Sequence, residues 1–65
     1  MITYYLLKAD IEGQTETLYA SFDRNDVVSM IETESSCFRE DGYRNARIES
    51  RQVEEGSDED IELAS

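Results

Sequence analysis

The run Ile2-Thr-Tyr-Tyr-Leu-Leu-Lys-Ala9 is apolar at even and odd positions alike, and few places in a small fold can accept it. A strand with one wet face alternates. A strand carrying Ile2, Tyr4 and Leu6 on one side and Tyr5 and Leu7 on the other belongs in the middle of a sheet. Glu12-Gly13 follows at the place where a tight turn needs positive φ. Thr15 to Phe22 then alternates, with Leu18, Ala20 and Phe22 on one side and Thr17, Tyr19 and Ser21 on the other. That pattern predicts a half-buried antiparallel partner strand.

Asp23 is a natural N-cap, and Asp26 suits the positive end of the helix it would open. Val27, Met30, Ile31 and Phe38 fall near one helical face, with Glu34 and Ser35 interrupting the stripe. The helix is expected from Arg24 to between Ser36 and Glu40, with Gly42 reversing the chain. Tyr43 to Val53 reads as a last strand, Ala46 and Ile48 inward and Tyr43, Arg47 and Arg51 on the other side. The expected fold is α+β, in the order β-β-α-β. It is a three-stranded antiparallel sheet in strand order 2-1-3 with one helix on one face and a right-handed crossover. The other face is expected to stay open and to carry tyrosines from the set Tyr4, Tyr5, Tyr19 and Tyr43.

Charge divides the chain in two. The net charge is −10, from 16 acidic and 6 basic residues. All six basic side chains lie in residues 1–53, the expected domain. Residues 54–65, EEGSDEDIELAS, hold six carboxylates and only Ile61 and Leu63 as large apolar groups. So little burial cannot offset ordering entropy, which predicts a flexible, disordered acidic tail. The body itself is thin for its length. Small domains of this size lean on disulfides, metals or self-association. With Cys37 alone and no histidine, neither a disulfide nor a structural zinc site is expected, which keeps a homodimer in view. The single thiol fits a reducing compartment, and no segment has the apolar length of a membrane span, so a cytoplasmic location is expected.

The residues argue against catalysis. Cys37 has no histidine to activate it and reads as a packing residue beside Phe38. The densest carboxylates lie where burial, and hence a raised pKa, is hardest to achieve. Asp58 to Glu62 lacks the calcium-loop pattern, and Gly13, Gly42 and Gly56 are too scattered to cradle phosphate. No cofactor and no metal are expected. Arg44, Arg47 and Arg51 could line one strand, yet the net charge opposes direct binding of a polyanion. They fit better as partners of carboxylates such as Glu49, or as interface contacts.

Several of these features resemble small phage-encoded proteins that shut down host enzymes, in layout most similar to the phage inhibitor of bacterial RNA polymerase. The likeness rests on Leu18-Tyr19-Ala20 ending the hairpin, Asp23 and Asp26 at the helix start, and Gly42-Tyr43 leading into Ala46-Arg47-Ile48, within residues 3–49. Arg47 matches an arginine of that pattern. Glu49 departs from it, and the acidic segment has no counterpart. The resemblance implies a β-β-α-β fold docking on a host enzyme through its helix and last strand.

Charge and resemblance together lead to one expectation. The chain is an acidic inhibitor occupying a basic, nucleic-acid-handling surface of a host protein, such as RNA polymerase or a nuclease, with DNA-like charge. The expected contacts are Asp23, Asp26, Glu32, Glu34, Tyr19, Tyr43, Arg47, Asp58, Glu59 and Asp60. The alternative is an apolar sheet-face interaction module or homodimeric accessory, its acidic segment serving solubility.

Overall fold

The computed structural model describes residues 1–64 as five elements: β1 (Ile2–Ile11), β2 (Gln14–Ser21), α1 (Arg24–Glu40), β3 (Arg44–Val53) and α2 (Asp58–Ala64). β1 is the central strand, in the order β2-β1-β3, and both of its pairings are antiparallel. Its doubled apolar pattern explains the placement. Tyr4, Leu6, Leu7 and Ala9 are all buried, on both faces of the sheet.

Glu12 and Gly13 both take positive φ, 51° and 79°, and Ile11 pairs with Gln14. This is the two-residue hairpin turn whose twist matches that of its strands. Asp23 caps α1 by accepting the Asn25 amide at 2.9 Å. At the other end Gly42, at φ 98°, closes a Schellman motif: Tyr43 N donates to Phe38 O and Gly42 N to Arg39 O. The accompanying apolar contact is an edge-to-face pair of Phe38 and Tyr43, with ring centroids 6.3 Å apart.

Strand pairing assigns the faces. Tyr5, Leu7 and Ala9 pair with Ser21, Tyr19 and Glu16, and this side meets α1 through a Ser21–Asp26 hydrogen bond and the segment after it through Tyr43, which donates to Glu16. Val27 of α1 is fully buried. On the opposite face Tyr4, Leu6 and Val53 form a cluster with Ile2, Ala20 and Leu63 of α2. The sheet therefore lies between two helices.

Three expectations need correcting. Residues 54–64 are not a disordered tail: a turn with Gly56 at φ 80° leads into α2 (Ser65 lies outside the described residues). The sheet face expected to be open is covered by α2 over its apolar half, so Tyr4 is buried at 2 % exposure instead of displayed. The last strand does not keep one alternation. Lys8 pairs with Arg47 but Asp10 with Arg44, leaving an extra residue in a bulge where Asn45 has φ 58°. The bulge leaves Ala46 exposed and turns Tyr43 to the α1 side, while Arg47 and Arg51 stay on the α2 side.

Candidate protein-docking surface

The short α2 begins with local chemistry. Ser57 caps it, its Oγ accepting the Asp60 amide at 3.2 Å, and Asp60 reaches back to the Gly56 amide at 2.8 Å. This is a capping box shifted by one residue at its return arm. Asp58, Glu59 and Asp60 sit in the first turn, where the helix dipole favours negative charge. Seven residues cannot hold a helix in water by these means alone.

Tertiary contacts complete it. The buried Tyr4 hydroxyl donates to Asp60 Oδ1 at 2.6 Å, Arg51 pairs with Glu59, and Leu63 joins the apolar cluster. The Asp60 carboxylate pushes the Tyr4 hydroxyl up to about 12, with burial adding to the effect. The same hydrogen bond, helped by the Gly56 amide, holds Asp60 below the ordinary carboxylate range. Beyond α2, the α2-side face is polar. Asp10 accepts from Thr15 at 2.7 Å, Asn45 at 3.2 Å and Arg47 at 3.2 Å, which lowers its pKa, the Thr15 bond contributing most.

The ten expected contact residues fall into three groups. Asp23 is occupied as an N-cap, and Tyr43 packs on Phe38 and donates to Glu16 at 2.9 Å. Arg47 is shared between Asp10 at 3.2 Å and Glu49 at 3.8 Å, the pairing its neighbourhood suggested. Asp60 faces inward to Tyr4. These four primarily stabilise the fold. Asp58 and Glu32 are exposed, and neither lines the grooves beside β2.

Tyr19, Asp26, Glu34 and Glu59 are brought together around the edge strand β2. One groove, between β2 and α1, is lined by Tyr19, Asp26, Met30 and Glu34. A second, between β2 and α2, is lined by Leu18, Tyr19, Glu59, Glu62 and Leu63. Tyr19 borders both. Glu62 was missed by sequence reasoning because its segment read as unstructured. The signal was present in Ser57-Asp58-Glu59-Asp60, a helix-start pattern, which puts Glu62 three residues after Glu59 on one helical face.

Cys37 is exposed and not the packing residue its neighbour Phe38 suggested. Its hydrogen bond to the Glu34 carboxylate, joined by the charges of Glu34, Glu40 and Asp41, raises the thiol pKa. A thiol held protonated is a poor nucleophile.

Fold and surface define a class: a small α+β domain whose edge strand is flanked by carboxylates on both faces. Comparison of the chain with protein-family models, curated proteins and solved structures finds no match in any of the three.

Proposed function

We propose that this chain is a protein-binding domain that docks its carboxylates on a basic, nucleic-acid-handling surface of a partner, in the manner of a small phage-type inhibitor of a host enzyme. The observation that carries this reading is the way the charge is held. Of sixteen carboxylates, only Asp10, Glu49 and Glu59 form ion pairs among the described residues, and α1 and α2 together hold seven of the other thirteen in position: Asp26, Glu32, Glu34, Glu40, Asp58, Asp60 and Glu62. A fixed array of negative charge competes with a phosphate backbone better than a mobile one, because less ordering entropy is lost on docking. The phage-inhibitor part of the reading rests on layout alone.

The test is competition. With a nucleic-acid-binding enzyme such as RNA polymerase as partner, the protein should displace DNA, and its affinity should fall steeply with salt. Binding insensitive to salt would count against charge mimicry. Deleting residues 54–65 is a poor probe, since it uncovers Tyr4, Leu6 and Val53. Neutralising Glu54, Glu55 and Asp58 to Gln or Asn leaves the α2 contacts intact and should weaken binding. An apolar sheet-face module would need α2 to undock, and its affinity would be unchanged by these substitutions.

A further inference from the structure

The sheet has two free edges, and they are guarded differently. Both edges carry one bulge, and what separates them is charge: β3 carries Arg44, Arg47, Glu49 and Arg51, side chains that keep an edge from pairing with another chain. β2 carries Glu16 as its only charge, with Thr17, Leu18, Tyr19, Ala20 and Ser21 following. Its one irregularity is the step that leaves Leu18 as an extra residue, since Leu7 pairs with Tyr19 but Lys8 with Thr17. From Thr17 to Ser21 nothing charged blocks an added strand. Above and below that edge lie Asp26 and Glu34 in one groove, and Glu59 and Glu62 in the other.

We infer that the outer edge of β2 from Thr17 to Ser21 is a strand-addition site for an extended basic segment of the partner protein. An added strand satisfies the β2 backbone groups that β1 leaves unpaired, which supplies affinity with little demand on sequence. Successive side chains of an extended segment point to opposite faces, so neighbouring Arg and Lys residues would reach the α1 and α2 carboxylates in turn. A second copy of this chain is a poor occupant. Pairing β2 with β2 would set Glu16, Glu59 and Glu62 of two highly acidic molecules against one another. The inference rests on the proposed binding of basic partners and names the element that does it.

The experiment uses the whole protein and a synthetic peptide as long as β2, eight residues, with arginine-lysine pairs separated by valines. Amide hydrogen exchange followed by NMR should show slowed exchange within Thr17–Ser21 when the peptide is added, with cross-strand contacts to it. Glu34→Gln and Glu62→Gln should each weaken binding about two- to five-fold, the range for an exposed ion pair. Salt-sensitive binding with a footprint on β3 or on a helix would overturn the strand-addition site and leave the basic-partner reading standing. Protection of β2 by self-association without peptide would also overturn it. If neither the peptide nor a basic protein binds, both fall together.

Discussion

α1 and α2 cover opposite faces of one sheet, yet they are helices for different reasons. α1 has 17 residues, a side-chain N-cap, a Schellman C-cap and a fully buried Val27. α2 has seven residues and none buried; it is held by Leu63, the Tyr4–Asp60 hydrogen bond and the Arg51–Glu59 pair. The first helix is specified along its own length and then packed. The second exists because a surface awaits it. Damage on the α1 side should therefore spread through the whole domain, while damage on the α2 side should release one segment.

The largest contrast should come from Leu7→Ala. Leu7 is fully buried on the α1 side, and its loss should cost about 2–5 kcal/mol in urea unfolding, lowering every probe together. Gly42→Ala comes next. A Cβ there meets only the Ile11 side chain at ordinary contact distance, so the cost of about 1–2 kcal/mol is that of holding a left-handed backbone at φ 98°. Leu63→Ala should cost about 1 kcal/mol through lost apolar burial. Its mark should be local: faster amide exchange in α2 with α1 and the hairpin unchanged. Equal loosening of both helices would mean that α2 is part of the core cooperative unit, and the contrast would fail.

The smallest effects are those of pH on α2. Tyr4 is raised to about 12, so its contribution is complete below the unfolded value of 10.0 and is lost as pH climbs through about 12. Asp60 is lowered from 3.8, so its contribution is complete above that value and is lost as pH falls through the depressed one. Exchange of α2 amides should therefore quicken at both extremes. Tyr4→Phe should remove the alkaline limb, which amide exchange as a function of pH would show. An alkaline limb that persists in that variant would assign it to another group.

The hairpin, the central place of β1 and the span of α1 were legible in sequence because each depends on neighbours a few residues apart. A doubled apolar run can only be central, Glu12-Gly13 makes a turn wherever it sits, and Asp23 caps whatever helix follows. The candidate docking surface was legible only in part. Tyr19, Asp26 and Glu34 were singled out for aromatic character and charge, but nothing local says that they share a groove beside β2. Tyr43 and Arg47 were singled out too, and the bulge at Asn45 gave them structural work on opposite faces.

Local pattern thus determined the strands, the first helix and the excess of negative charge. Tertiary structure decided the rest. Residues 54–64 have too little apolar surface to order themselves, and composition alone weighs only what a segment can bury within itself. The cluster of Tyr4, Leu6 and Val53 supplies the missing surface from positions far away in the chain, and Asp60 gains a buried hydroxyl donor that no residue near it could offer. A segment that cannot form its own core can still complete another's, and that depends on the geometry of the sheet it meets.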